Sequence, residues 1–131
     1  MAIEIKNKEG KVIHAIEGDT LVDANLSWIN LSKANLYDAN LSRANLVGAK
    51  LTGANLTGAN LTMACLIEAK LTGACLVGAK LQGANLTDAN LSDADLTGAD
   101  LRGVNLTDAN LEGVNLEGID LGIVGYKLVK E

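Results

Sequence analysis

The stretch GACLVGAK at residues 73–80 comes nearest in this sequence to a reactive motif. Its two glycines and lysine mimic a phosphate-cradling loop, in which backbone N–H groups and a lysine hold a nucleotide. Here the lysine stands one place late and no Ser or Thr follows it. A five-residue periodicity rich in glycine produces that match by accident. The other reactive side chains are sparse. His14 is the single histidine, which excludes His-based catalytic triads and His-rich metal sites. Cys65 and Cys75 are the two cysteines, ten residues apart. Asn-Leu-Ser/Thr recurs, but no signal peptide is evident, so these triplets carry no meaning as glycosylation acceptors. The expectation is a protein with no catalytic residue, no cofactor and no metal site, and not an enzyme.

Composition narrows the class further. A chain of 131 residues with 48% hydrophobic content can bury one core. It has no Phe or Pro, one Trp and two Tyr, so Leu and Ala must fill that core. No apolar run approaches the ~18 residues of a membrane span. The opening MAIEIKNKEGK lacks an uninterrupted apolar stretch, so a cytoplasmic location with reduced thiols is expected. A formal net charge of −5 disfavours direct binding to nucleic acid or to an anionic membrane.

The elements that would position any site are set by a repeat. Leu occupies every fifth position from Leu26 to Leu121. Two residues before each stands Ala, replaced only by Ile29, Val104, Val114 and Ile119. On a helix, five residues at ~100° each place successive leucines ~140° apart, and no apolar stripe forms. As a strand the pattern works: in Ala-x-Leu both apolar side chains share one face and the middle residue points out. The next two residues, often Thr-Gly, Ser-Asp or Thr-Asp, break the alternation and suit a turn. Each pentapeptide is therefore a short side plus a corner, and sides joined by corners make a polygonal coil whose turns stack like parallel strands.

Twenty such copies of A-[D/N]-L-x-x over residues 24–121 resemble the pentapeptide-repeat family. That resemblance implies an all-β, right-handed quadrilateral β-helix with four repeats per coil. The chain then comprises about five coils, a rod ~24 Å tall at the ~4.8 Å inter-strand spacing. An N-terminal β-hairpin cap at 1–18, the solenoid at 19–123 and a C-terminal cap segment at 124–131 are expected, with Val124 and Tyr126 continuing the register. The outward Asn is read as structural, bonding locally at corners or stacking between coils. With four sides, Cys65 and Cys75 face opposite ways and remain free thiols.

Twenty-residue columns also place the surface candidates. Trp28 and Tyr37 point outward in the first coil, where contact with the hairpin is expected. Val47 and Ile67 lie one coil apart beside Cys65 and form a small apolar patch. Lys50 and Lys70 share a column, as do Asp100 and Asp120; such like-charge pairs cost under about 1 kcal/mol in water. The column Ser32, Thr52, Thr72, Ser92 ends at Glu112, too little for an ice-binding face. Residues 88–120 carry eight carboxylates, including Asp88, Asp95, Asp100, Asp108 and Asp120, against Arg102 alone. The functional expectation is a non-enzymatic rigid scaffold, monomeric or an end-to-end dimer, that binds a protein partner. The resemblance also implies an alternative, because some members of the family shield DNA gyrase by mimicking duplex DNA. In that case the acidic band is the mimic.

Overall fold

The computed structural model describes residues 1–122. Strand β1 (Ala2–Lys6) pairs antiparallel with β2 (Val12–Glu17), with Ile3 opposite Ile16. The Asn7 side-chain oxygen organises their connection, accepting the N–H groups of Glu9 at 2.9 Å and Lys11 at 3.0 Å. From there on the chain is a coil of isolated parallel bridges between residues twenty apart. Asn25 pairs with Asn45, Asn45 with Cys65, Cys65 with Asn85 and Asn85 with Asn105. The other three sides repeat that series, beginning at Asn30, Asn35 and Asn40. The period of twenty makes the coil four-sided, a right-handed quadrilateral β-helix.

The sides are numbered here from the one holding residues 24–26, and each corner takes the number of the side it follows. From Leu41 to Leu101 every Ala and Leu of the repeat is buried, at most 3% exposed. The core is thus a column of leucines and alanines along each wall, with each fully buried leucine contributing roughly 1.5–3 kcal/mol. The larger residues Ile29, Val104, Val114 and Ile119 replace Ala only in the first and last described coils, where they are partly buried. Mid-rod, a Cβ is all the volume that position offers.

Each corner is a tight turn with a uniform cause. The N–H of the residue at the Ala position bonds back to the preceding Leu carbonyl, as in Ala44 to Leu41 at 3.0 Å. The residue just before it has a positive φ, near +60° at non-glycine positions such as Trp28, Met63 and Asp88. One positive φ at the third residue of a four-residue turn is the mark of type II. This explains a partition in the sequence: Thr, Val and Ile are frequent at the first corner position and absent from the second, because β-branched side chains do not tolerate the left-handed region.

The outward asparagine completes the corner. At every Asn or Asp of the series from Asn25 to Asp120, the side-chain oxygen accepts the N–H two residues on, as in Asn85 to Thr87 at 3.1 Å. The local-bonding reading of asparagine therefore describes it; no ladder of amides between coils is formed among the described residues. The solenoid also begins one repeat before the run that the leucine-alanine pattern marks. Leu21 is buried, Asp23 has φ 61, and Thr20 Oγ1 accepts the Val22 N–H at 3.1 Å in the role of the asparagine.

The first coil presents backbone N–H and C=O groups with no coil beneath them, and the hairpin meets some of both. Lys8 N–H donates to Lys33 O at 3.1 Å, and Asn35 N–H to Lys6 O at 2.7 Å. His14 Nε2 lies 2.9 Å from Asn30 O, a bond that the Nε2-protonated ring donates. Ile5 enters the core from below. The segment expected as a C-terminal cap, residues 124–131, lies outside the described residues.

Bulky second-corner residues lean toward the coil ahead. A β-carbon built on Gly48 would fall within the indole ring of Trp28, and Gly58, Gly83 and Gly113 stand likewise beneath Asp38, Met63 and Asp93. Trp28 thus rests on the second coil, over Gly48, and the expectation that the hairpin covers it is corrected: its side chain follows the forward tilt of a left-handed corner.

Two outcomes follow from this packing. Ala74→Val should destabilise by about 1–3 kcal/mol through overpacking, whereas Ala109→Val, in the partly buried last coil, should cost well under half of that in a thermal melt. Gly48→Ala should cost more than Gly73→Ala, since both have φ +65 but only Gly48 is covered. Adding Trp28→Ala should bring the two glycine variants level, and equal losses with Trp28 in place would contradict the covering.

Candidate functional site

Five of the nine surface candidates fall on corner 1. Its first-position column reads Ser27, Val47, Ile67, Thr87, Thr107 and its second-position column Trp28, Gly48, Glu68, Asp88, Asp108. Backbone bonds fix these columns: Trp28 N–H to Val47 O at 2.8 Å, Gly48 N–H to Ile67 O at 2.8 Å and Glu68 N–H to Thr87 O at 3.0 Å. Trp28 is 67% exposed, its ring lying flat on Gly48, with Val47 and Ile67 half-buried alongside. The remaining three acidic residues continue the same edge. One edge therefore runs from an aromatic and aliphatic end to a file of carboxylates spaced one strand apart.

The other candidates are separated from it. Tyr37, 60% exposed, sits on corner 3, diagonally across the square. Asp95 lies on side 3, where the Thr97 hydroxyl and backbone N–H both donate to it. The hydroxyl bond first, then the N–H, hold its carboxyl below the usual range. Asp100 and Asp120 stack on side 4, and sequence reasoning treats them as a bare like-charge pair. They are in fact clamped by Arg102: its Nε and Nη2 donate to Asp100 at 2.9 and 2.7 Å, and its Nε lies 3.7 Å from Asp120. The guanidinium holds the Asp100 carboxyl below its ordinary value, chiefly by hydrogen bonding. A first-corner arginine two residues after an aspartate was the signal available for this fork.

Charge pairing further divides the acidic band. Among the described residues the ion pairs are Arg43 with Asp23 and Arg102 with Asp100 and Asp120. Glu68, Asp88 and Asp108 on corner 1 take part in none. Chemistry of other kinds finds little to work with. Among the described residues no group of three or more His, Cys, Asp or Glu side chains could hold a metal ion. Cys65 and Cys75 are free and stand on sides 1 and 3, two sides apart; Cys75 Sγ lies 3.1 Å from Thr57 Oγ1. His14 is engaged with the first coil. No helix among the described residues is long and apolar enough to cross a membrane.

Comparison with known proteins places the chain. The family profile described as pentapeptide repeats matches in 8 copies, over residues 21–58, 34–73, 49–88, 64–103 and 84–122. Among solved structures, the chain is 44% identical to alr5209, a pentapeptide repeat protein from Nostoc Pcc 7120. That match covers 57% of this chain and 62% of the other, with TM-score 0.57. It is 41% identical to Rfr23, a pentapeptide repeat protein from the cyanobacterium Cyanothece 51142, over 68% and 65% of the two chains, with TM-score 0.40. HetL, a pentapeptide repeat protein involved in heterocyst differentiation regulation from Nostoc sp. strain PCC 7120, is 34% identical over 79% and 60%, with TM-score 0.33. The chain spans less than two thirds of the length of each of these three. No curated protein matches it. The repeat, its twenty-residue coil and the family profile agree, and the chain belongs to the pentapeptide-repeat family.

Proposed function

We propose that the chain is a rigid, non-enzymatic scaffold that binds a protein partner along corner 1. The observation that carries this reading is the exposed Trp28 indole, seated on Gly48 beside Val47 and Ile67, followed along the same edge by Glu68, Asp88 and Asp108. Tryptophan is over-represented among residues that dominate binding energy at protein interfaces. Its ring here has its floor fixed by the coil, so little side-chain freedom is lost when a partner covers it. The carboxylates ask for a basic flank on the partner, which raises the association rate and fixes register. A protein surface with an apolar pocket bordered by Lys or Arg fits this edge.

A second reading, the gyrase-directed DNA mimic, rests on charge density. Residues 88–120 make up about 1.65 coils, or ~8 Å of rod, with one positive and eight negative side chains. Duplex DNA carries ~5 phosphates over that rise. The geometry favours the scaffold, because these carboxylates are spread around the square, over corners 1, 2 and 3 and sides 3 and 4, and Arg102 offsets two of them.

The test is cross-linking pull-down from the source organism with mass-spectrometric quantification, alongside a gyrase supercoiling assay. Capture of a partner should fall at least tenfold for Trp28→Ala/Ile67→Ser and stay unchanged for Tyr37→Ala on the opposite corner. Capture that survives the corner 1 variant sinks the proposed surface. A gyrase effect of the wild type that disappears in D88N/D95N/D100N/D108N would select the mimic instead.

A further inference from the structure

Five residues at the asparagine position of the coils are neither Asn nor Asp: Lys50, Cys65, Lys70, Cys75 and Lys80. The N–H groups two residues on, at Thr52, Ile67, Thr72, Val77 and Gln82, meet no acceptor among the described residues. Two of these donors are neighbours. Lys50 pairs with Lys70 on side 2, so the N–H groups of Thr52 and Thr72 lie one strand spacing, ~4.8 Å, apart. In the coils to either side, Asn30 and Asn90 provide a side-chain oxygen to Ser32 at 3.1 Å and Ser92 at 3.0 Å. By the same corner geometry, the Thr52 and Thr72 donors point outward toward the place an oxygen takes in those coils.

Three cations surround that place. Lys50 and Lys70 are exposed on the same side as the two donors. Lys33 comes from the adjoining corner, its Cγ 3.7 Å from where a β-carbon on Gly53 would stand, so its stem runs along Gly53 beside Thr52. Gly73, next to Thr72, has open space over it. The Thr52 hydroxyl is exposed, and Thr72 Oγ1 lies 3.4 Å from Ser92 Oγ. Two carboxylates stand close along the chain, Asp93 and Glu68. Asp93 reaches over Gly113 in the coil ahead, and Glu68 occupies the corner at the other end of side 2. Neither forms an ion pair with these lysines among the described residues.

We propose that this strip of side 2 binds a tetrahedral oxyanion, phosphate or sulfate, either free or carried as a phosphorylated side chain of a partner protein. Its oxygens accept the Thr52 and Thr72 N–H groups in the manner of the asparagine oxygens elsewhere, and Lys33, Lys50 and Lys70 supply charge. Outward-facing backbone N–H groups form anion-binding concavities when several converge, and hydrogen bonds to an ionised acceptor are roughly twice as strong as neutral ones. The bound anion also offsets the mutual repulsion of the stacked lysines. The site is separate from corner 1 and does not depend on that edge having a partner.

An amide NMR titration of the full chain with inorganic phosphate, at constant ionic strength set with chloride, tests this. Saturable shifts should be largest at Thr52 and Thr72 and small at Ile67 and Val77, whose N–H groups also lack acceptors but have no lysine pair. K50N/K70N restores the residue found in neighbouring coils, so it folds, and it should abolish the shifts. Lys33→Ala should weaken binding by about two- to fivefold. The absence of shifts, their equal spread to Ile67 and Val77, or their persistence in K50N/K70N overturns the site. A phosphoserine peptide that binds more tightly than phosphate assigns the ligand to a partner's side chain; equal affinity assigns it to the free ion.

Discussion

Everything in this molecule hangs on a backbone bond between one coil and the next. Leu46 N–H donates to Cys65 O, and Cys65 N–H to Ala44 O, at 2.7 and 3.0 Å; the same pair recurs around the square. One such bond contributes only about 0.5–1.5 kcal/mol net, but the pairing permits a single register. A side of three residues and a corner of two must close in five, or the next bond is missed. That demand sets the left-handed corner residue, which in turn leaves the first corner N–H facing outward. The asparagine answers it. Leucine and alanine then point inward because the alternation of a strand allows nothing else.

The repeat made most of this legible. Leucines at intervals of five excluded a helix, and Ala-x-Leu identified the inward pair. The count of four sides came with the family resemblance, since the periodicity defined a polygon of any order. Three details stayed hidden for reasons that are physical. The part played by Thr20 ahead of Leu21 was unread, because it does the work of asparagine with a different side chain. Trp28 was assigned to the hairpin because column position says which residues are neighbours but not which way a side chain leans. For the Arg102 clamp, the spacing from Asp100 to Arg102 offered a signal, but the rotamer that lets one guanidinium reach both Asp100 and Asp120 is not encoded in it. For the surface, sequence columns already gathered Val47 with Ile67, whereas the union of these with Trp28, Asp88 and Asp108 on one edge needed the corner assignment.

The walls contain little chemistry, so what distinguishes this rod is the pattern its columns draw. Side 2 of the second and third coils is basic, and corner 1 turns acidic from the third coil onward. The two strips share a boundary and overlap in the third coil, where Glu68 and Lys70 stand at one height, with the basic strip reaching toward the hairpin end and the acidic one away from it. A rigid rod can present both at once without either moving, because the intervening backbone is bonded on two sides. Such a surface discriminates by placement of charge rather than by reaction, which suits a family built on repetition.

The forward lean of the corner side chains gives the rod a grain. Trp28, Asp38, Met63 and Asp93 each depend on a glycine twenty residues further on. Duplicating or deleting a whole coil would therefore keep every column in register and leave intact each such pair that the junction does not interrupt. Adding a single five-residue repeat between them would rotate the later partner onto the neighbouring edge and leave each bulky residue above a stranger. The hydrogen-bonded walls would accept either change equally well. It is the exterior, through these paired corners, that tells a change of twenty residues from a change of five.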